Sequence, residues 1–600
     1  MTNENALPGS SRVRQAVINA LSDNRLRLWW FLAALFVAVS AVTRIVLGGV
    51  AIAGDQAALS DMPALMAVGL VYDVVTALSL FAPFAIYLAL VPERLYRRRG
   101  HRWLMAAMCS ATVFGLIYLG AVEYFFFDEF NARFNFVAVE YLIYPHEVFV
   151  NIWHSYPVAQ VLAATALLTA SVIWLVRDRL FGGGSSGPRP LPLRLARLGM
   201  LALLIGAAQA GLNVNTGRYS ENRVVNELAV NGVYSFFNAA LNSELDYGAF
   251  YLSLPGTEAD ERLRSMIQAQ DSVFFAEPDH IKRRITADGP PKHLHVVVLL
   301  EESLGAEFVG AYGDKRGLTP ELDRLAETGM LFTHAYATGT RTVRGTNGYR
   351  VIDRTDLDAP RFANIWGVSD EDLFRNAVRV FDEQHGRGEK IFSIIMTTSN
   401  HKPYTFPPGI PSVPEKGGGR DAGVRYADYS IGRLFEMAKS KPWFDDTLFV
   451  IVADHGARVY GREDIPVTTY EIPLILYAPR HIKPRQVDTL ISQIDVAPTV
   501  IGMLDFDYDS AFFGSDVLLA GSRPNRLIPL NHNRDIALFD GRNLFETGFR
   551  KTSAQFAYDP VTHQQTRVAV DPERMKDVVA VFQKAFEFYN ERRYNIPERN

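Results

Sequence analysis

Five apolar windows in the first third of this 600-residue chain limit most strongly what it can fold into. Each approaches the roughly 20 residues that a helix needs to cross a bilayer. The first window is too long, and too plainly followed by others, to be a cleaved signal peptide. A buried soluble core is the alternative, but five such windows favour a membrane domain over residues 1–212. The windows lie near Leu28–Val50, Ala67–Val91, Leu104–Phe127, Val158–Val176 and Leu195–Leu212.

The arginines between these windows predict how the chain is oriented. Several lie before the first window and in the second and fourth loops, whereas the first loop has no Lys or Arg and the third has only Arg133. The positive-inside rule then places the N-terminus in the cytoplasm and everything after the fifth window outside. The aromatic third loop, with FFFDEFNARFNF and EYLIYPHEVF, predicts an element lying on the outer leaflet.

Arg44 falls inside the first window. We expect its long side chain to snorkel to the outer interface, the alternative being a lipid head group as its partner.

Charge and cysteine content exclude several classes of function. The net charge is −4, so the chain has no global basic field and no nucleic acid partner is expected. Its one cysteine, Cys109, lies in an apolar segment. This excludes an intramolecular disulfide framework and a cysteine-based metal cluster.

The remainder of the chain changes character after the fifth window. A polar connector at 213–291 contains two predicted helices, Val224–Leu241 and one near Glu258–Gln270. Strand-like and helical patterns then alternate over 292–520, which predicts a mostly parallel sheet covered by helices. Residues 521–600 carry short strands and a charged helix, Pro572–Arg592. Within 292–520, strands are expected at Val296–Leu300, 391–398, Thr447–Ala453 and 472–478, and helices at Pro320–Thr328, at Tyr426–Ala438 and from Asp495 onward.

Polar side chains follow two of these strands at the point where each ends. Glu301 and Glu302 come after the first strand, and Asp454–His455–Gly456 follows the third. Ligand sites of open α/β sheets lie past the carboxyl ends of strands, and carboxylate with imidazole suits a divalent ion such as zinc or manganese. Glu302 and the Asp454–His455 pair are therefore candidate ligands. The alternatives are a solvated acid that caps a helix and a hydrogen-bonded turn.

A cluster of hydroxyl and arginine side chains lies between the two strand ends in sequence. Thr342 is a candidate nucleophile, because coordination to a metal lowers the pKa of a hydroxyl, although Thr338 and Thr340 compete for this role. Arg341 and Arg344 either clamp a phosphate or are solvated. His401, in TTSNHKPY, could donate to an oxyanion or protonate a leaving group.

Five stretches follow one another along the chain: EESLGAEFVG, LTPELDRLAETGMLFTHAYATGTRTVRG, MTTSNHKPY, FVIVADHG and SQIDVAPT. Taken in this order, they resemble the lipoteichoic acid synthase family of membrane phosphoglycerol transferases. The resemblance implies a five-helix transmembrane bundle in a bacterial cytoplasmic (inner) membrane. An extracytoplasmic, periplasmic α/β sulfatase-like domain of the alkaline phosphatase superfamily would follow it. Phosphoethanolamine transferases share this fold, and true sulfatases need a C/S-x-P-x-R motif that is missing at the nucleophile position.

The same resemblance implies roles for particular residues. Glu302, Thr342, Asp454 and His455 would hold one divalent ion, typically manganese, with magnesium or zinc possible. Thr342 would attack the phosphorus of phosphatidylglycerol, and diacylglycerol would leave from a glycerophosphorylated threonine. His401 matches a substrate-contacting histidine. The acceptor would be a glycerophosphate polymer or an envelope glucan.

One departure from the family pattern follows the nucleophile motif. TVRG at 342–345 is joined directly to TNGYRVIDRTDLD, whereas the family carries several dozen residues there, with aromatic and arginine contacts to the substrate. The hypothesis alternative to an enzyme is therefore a truncated, catalytically impaired relative. It would bind metal or lipid head groups without turnover.

Overall fold

The polypeptide divides into two units, Met1–Ser243 and Glu244–Asn600, in a computed structural model. The connector expected at 213–291 is thereby shared between the two units. The structure describes residues 25–141, 145–181, 190–241, 247–275, 280–339, 350–414, 417–458, 461–519, 526–532, 534–548 and 551–593.

The first unit contains five helices long and apolar enough to cross a membrane, which confirms the five predicted windows. Their orientation across the membrane stays a prediction. The five are Arg27–Ala53, Leu59–Leu80, Arg99–Phe130, Val158–Phe181 and Leu191–Gly211. Shorter helices of this unit are Ala82–Leu90, Glu93–Tyr96, Phe136–Glu140, Pro145–Ser155, Arg223–Ala229 and Gly232–Leu241.

The second and third windows end elsewhere than predicted. A continuous second span, Ala67–Val91, is wrong, because the helix ends at Leu80 and a new one begins at Ala82. Pro83 lies in the first turn of the new helix; it has no N–H to donate, and its ring clashes with the preceding turn. The third helix runs on to Phe130, so the FFFDEF part of the expected surface element belongs to the span.

The predicted single helix Val224–Leu241 is also wrong, because the chain breaks it at Val230 and Asn231. Val230 is extended, with ψ of 148°. The side-chain oxygen of Asn231 then accepts hydrogen bonds from the N–H groups of Val233 and Tyr234, at 3.0 and 3.2 Å. An Asn in this position satisfies the first amides of a helix, so it starts a second one.

Arg44 does not snorkel, contrary to the prediction. Its side chain is fully buried, and its two terminal nitrogens donate to the two carboxylate oxygens of Asp73 at 2.6 and 2.8 Å. Its Nε donates to the carbonyl of Leu228 at 3.0 Å. Gly69 leaves room for this route, since a Cβ there would lie 2.2 Å from the Arg44 guanidinium carbon. The counter-charge comes from the neighbouring span, so Arg44 needs neither interface nor lipid.

A second buried ion pair joins the third span to the residues that follow it. Arg133 donates to both carboxylate oxygens of Glu123, at 2.5 and 2.9 Å, and to the carbonyl of Val230 at 3.0 Å. Both buried arginines therefore bind carbonyls on the short stretch Leu228–Val230. The two ion pairs therefore link this stretch to the first three spans, which carry Arg44, Asp73 and Glu123 respectively.

A six-stranded sheet forms the centre of the second unit. In spatial order its strands are Phe392–Met396, His295–Glu301, Thr447–Ala453, Leu474–Tyr477, Met330–Phe332 and Arg485–Val487. The first three strands run parallel, as predicted. Leu474–Tyr477 is antiparallel to both of its neighbours, whereas the other five strands share one direction, so the predicted mostly parallel sheet is confirmed with one exception. A parallel return normally needs a crossover helix. Among the described residues, only a 3₁₀ turn at Val467–Tyr470 lies in that connection.

The predicted alternation with helices is confirmed around this sheet. All seven residues of Thr447–Ala453 are buried, as expected for a strand covered on both faces. The helices that alternate with the strands are Pro320–Thr328, Asp370–Gly386, Gly419–Ala438 and Val496–Met503.

Three smaller sheets and further helices complete the second unit. Ile528–His532, Asp535–Phe539, Asn543–Gly548, Thr552–Tyr558 and Gln565–Val568 form an antiparallel sheet. Ala335–Tyr336 pairs in parallel with Ile491–Ser492. The third sheet consists of Ser272–Phe274, Arg283–Ile285 and Tyr508–Ser510, and the helices are Tyr247–Phe250, Gly256–Ile267 and Pro572–Asn590.

Candidate active site

Strand register brings the first two predicted ligands together. Glu301 pairs with Ala453 in adjacent parallel strands, so Glu302 and Asp454 each come one residue after a paired position. Glu302, Asp454 and His455 each offer one ligand atom, and these atoms lie within 4.8 Å of one another. Glu301 does not belong to this group. Its buried side chain faces Thr397, whose Oγ1 lies 3.3 Å away.

Backbone hydrogen bonds fix the orientation of the two carboxylates. The N–H groups of Ser303 and His455 both donate to Asp454 Oδ1, at 2.8 Å each. The Ser303 hydroxyl donates to Glu302 Oε1 at 2.6 Å. Ser303 adopts a left-handed backbone with φ of 49°, which a non-glycine residue holds only where its surroundings enforce it. Strain of this kind is concentrated at functional sites.

The His455 ring presents the tautomer that a metal requires. Its Nδ1 lies 2.7 Å from the carbonyl oxygen of Gly456, which can only accept, so Nδ1 carries the proton. The lone pair is then on Nε2, which lies 3.4 Å from Asp454 Oδ2. A backbone carbonyl bound to the second ring nitrogen is the usual support of a ligating histidine.

The electrostatics of the group fit a divalent cation. Burial and the charge of Asp454 raise the pKa of Glu302 to about 7. Glu302 is buried rather than solvated, in contrast to the alternative weighed from the sequence. Two buried carboxylates beside an imidazole form a donor set suited to manganese, zinc or magnesium.

His401 lies in a loop that is tied to the ligand strand. The N–H of Glu302 donates to Thr397 Oγ1 at 2.9 Å, and Asn400 Nδ2 donates to the Glu302 carbonyl at 2.9 Å. The His401 ring packs on Trp366, with centroids 4.0 Å apart. The His401 loop thus lies at the same edge of the sheet as the ligands.

The remaining predicted residues, Thr340, Arg341, Thr342 and Arg344, lie outside the described residues. The competing Thr338 is described, and its carbonyl accepts from Asn531 N–H at 3.1 Å. The roles assigned to these residues stay predictions.

Comparison with known proteins identifies the domain that carries the site. The sulfatase family model matches residues 295–347 and 345–506. We call residues 295–506, which these two segments span, the sulfatase-family domain after the model that matches them. The six-stranded sheet and all three grouped ligand residues lie within this sulfatase-family domain.

The relatives agree with the predicted resemblance. Phosphoglycerol transferase I of Xanthomonas campestris pv. campestris is 25% identical over 173 residues, and that of Xanthomonas euvesicatoria pv. vesicatoria is 24% identical over 177. Each match covers 28% of this chain and 25% of the relative, so the chain matches about a quarter of the length of these proteins.

A solved structure agrees with the predicted fold. A Vibrio parahaemolyticus protein of the alkaline phosphatase superfamily superposes with a TM-score of 0.54 at 25% identity. The superposition covers 59% of this chain and all of the other. The predicted α/β sulfatase-like fold is thereby confirmed.

The structure adds residues to the site of the sulfatase-family domain that sequence reasoning missed. Thr397 and Asn400 lie in the TTSN segment, next to which only His401 was predicted to be functional. Arg420 carried no signal at all, because it follows a run of glycines and opens a helix. Its Nη1 donates to the Ser303 carbonyl at 3.2 Å.

Asp370 is a further missed residue, and it positions the His401 loop. Its fully buried Oδ1 accepts from the N–H groups of Thr398 and Ser399, at 3.0 and 3.1 Å. We expect Asp370→Ala to cost about 1–3 kcal/mol of stability, since two buried donors lose their acceptor. Asp370→Asn keeps an acceptor and is the matched control. Thermal unfolding of the detergent-solubilised protein measures both, and equal melting temperatures for the two variants would contradict this role.

The charge of Asp370 also predicts a pH dependence. Burial raises its pKa to about 6, above the roughly 3.9 of an unfolded aspartate. The folded state therefore binds more protons between these values, and this residue's contribution to stability falls as the pH rises from about 4 to about 6. Asp370→Asn should reduce the slope of stability against pH over that window. Above pH 6 the slope should be unchanged. An unaltered slope below pH 6 would show that Asp370 does not titrate there.

Proposed function

We propose that this protein is a metal-dependent membrane transferase. It moves a phosphoglycerol group from phosphatidylglycerol to an envelope polymer or glucan, through a phosphothreonine on Thr342. The observation that carries the proposal is the grouping of Glu302, Asp454 and His455 at neighbouring strand ends of a sulfatase-family domain. The five apolar helices of the same chain support a substrate drawn from the membrane.

Glu302, Asp454, His455 and Thr342 would hold the cation, for which manganese is the first candidate. When bound, such an ion lowers the pKa of a coordinated hydroxyl and neutralises charge on phosphoryl oxygens. Thr342 Oγ forms an ester bond to phosphorus while the bond from phosphorus to the diacylglycerol oxygen breaks. The threonine proton passes to solvent, and His401 supplies a proton to the departing diacylglycerol. The oxygen of an acceptor hydroxyl then bonds to phosphorus while the bond from phosphorus to Thr342 Oγ breaks. The acceptor proton passes to His401, and Thr342 Oγ takes a proton from solvent.

The described residues before Thr342 support its place near the ligands. Ala335–Tyr336 pairs with Ile491–Ser492, and the next residue, Gln493, donates from Nε2 to the carbonyls of Ala453 and Asp454 at 2.9 Å each. The strand before Thr342 therefore pairs with a strand whose next residue, Gln493, contacts the backbone of Asp454. An extended chain advances about 3.3–3.6 Å per residue, so the residues from 337 to 342 can span up to about 20 Å beyond that strand.

We also propose the location that the arginine distribution favours. The chain lies in a bacterial cytoplasmic membrane, with the N-terminus inside and the sulfatase-family domain outside. The donor lipid would then come from the outer leaflet.

One observation favours a second function, in which metal or lipid head groups are bound without turnover. TVRG is joined directly to TNGYR, and the two matched segments of the sulfatase model meet at residues 345–347. A missing block at this junction would remove substrate contacts and leave the three grouped ligands intact.

Lipid cleavage by the purified protein separates the two functions. With manganese and fluorescent phosphatidylglycerol in detergent, we expect labelled diacylglycerol from the natural protein and from Thr338→Ala, and none from Thr342→Ala. Phosphatidylethanolamine in parallel identifies the donor. If neither lipid is cleaved while manganese still raises the melting temperature, the transferase proposal is wrong and the binding function is supported.

A further inference from the structure

Arg420 brings a positive charge to a site that is otherwise acidic. Glu302 and Asp454 belong to the ligand group, and Glu307, outside that group, is buried with its pKa raised to about 6. The charge of Arg420 lowers the pKa of both Glu302 and Glu307. An anionic substrate would meet repulsion from these carboxylates, so a cationic side chain is needed beside the metal to admit it.

The guanidinium of Arg420 is held by contacts that leave most of its donors uncommitted. Nη1 donates to the Ser303 carbonyl at 3.2 Å, and the group lies over the Tyr404 ring, 5.4 Å from its centroid. Within the described part of the chain, Arg420 forms no ion pair. These contacts use one of five N–H donors, which leaves a planar fork suited to two oxygens of a phosphate.

Those two contacts also place Arg420 between the two halves of the site. Ser303 follows the ligand Glu302 and donates to Asp454 through its own N–H. Tyr404 belongs to the His401 loop, since its N–H donates to the His401 carbonyl at 2.9 Å. The Arg420 helix packs tightly on this loop, because a Cβ at Gly423 would lie 3.0 Å from Asn400 Oδ1 and from Tyr404 Cδ1.

We propose that Arg420 binds the phosphate group of the substrate, with its guanidinium donating to non-bridging oxygens next to the cation. This inference rests on the proposed function and adds a substrate-binding residue to it. Lysine cannot reproduce the planar fork, so Arg420→Lys should restore only part of the binding.

Binding of inorganic phosphate to the manganese-loaded full chain in detergent tests the proposal by calorimetry. We expect Arg420→Ala to weaken phosphate binding by about 10- to 100-fold, the usual loss for a hydrogen bond to a charged group. Manganese affinity should stay the same or rise, since a positive charge has been removed. Arg425→Ala is the matched control, because Arg425 lies on the same helix and binds only the carbonyls of Gly317 and Arg316 among the described residues.

Each outcome supports or overturns the inference. Equal phosphate affinity in the natural protein and Arg420→Ala, or no phosphate binding by either, overturns it. Parallel loss of manganese and phosphate binding would mean that Arg420 only holds the Ser303 turn, which also overturns it. Lipid cleavage, measured on the same proteins, tests the proposed function separately. Cleavage by the natural protein with an unchanged KM in Arg420→Ala would reject Arg420 alone.

Discussion

Glu302→Gln is expected to abolish lipid cleavage and to weaken manganese binding more than 100-fold. Loss of residues that merely support a ligand typically costs about 10- to 100-fold in metal affinity, and a carboxylate that ligates directly should cost more. Glutamine keeps the size of the side chain and can still accept the Ser303 hydroxyl, which lies 2.6 Å from Glu302 Oε1. The loss would therefore report the missing charge rather than a disturbed turn. Calorimetric titration with manganese measures it.

In the metal-free protein, the same substitution should not lower the melting temperature. Glu302 and Asp454 repel each other when both are ionised, so Glu302→Gln should leave the metal-free melting temperature unchanged or raise it. Addition of manganese should then produce no further increase. Glu307→Gln is the matched control, since Glu307 is a buried glutamate of the same segment outside the ligand group. Natural manganese affinity in Glu302→Gln would show that Glu302 is not a ligand.

The sequence was sufficient to place Glu302 and Asp454 together because strand patterns are local. Each carboxylate follows an unbroken apolar run, and buried parallel strands end at one edge of a sheet. His455 came with Asp454 as its neighbour. Arg420 could not be found in this way, since its helix is separated from Ser303 by more than a hundred residues and no local pattern links them.

The error at Arg44 has a similar origin in a long-range partner. From the sequence, Arg44 was expected to reach water at the interface. Its partner Asp73 belongs to another span, and the sequence does not show which spans are in contact. The sheet is mostly parallel as predicted, but its one antiparallel strand, Leu474–Tyr477, carries the same apolar pattern as a parallel one, so composition could not single it out. The break at Asn231 follows from amides that its side chain caps, and such a cap inside an apolar helical pattern is easily passed over.

The buried pair of Arg44 and Asp73 predicts the largest effect on the stability of the membrane unit. Asp73→Ala leaves a fully buried guanidinium without its counter-charge, which we expect to cost about 3–5 kcal/mol. Asn231, whose Nδ2 donates to Asp73 Oδ1 at 2.8 Å and to Ser40 Oγ at 3.2 Å, loses the first of these acceptors as well. Thermal unfolding of the first unit's helices in detergent, followed by circular dichroism, measures the loss.

Two further variants separate charge from packing. The double variant Arg44→Met/Asp73→Leu removes both charges together and should recover much of the loss, because apolar side chains can replace a buried ion pair at little cost. Arg97→Ala breaks an exposed pair with Glu93 and should cost less than about 1 kcal/mol. If Asp73→Ala is as mild as Arg97→Ala, then water reaches Arg44 and the pair is not what fixes Leu228 to the spans. If the double variant is as unstable as the single one, the hydrogen bonds to Leu228 and Asn231 carry the stability rather than the charge pair.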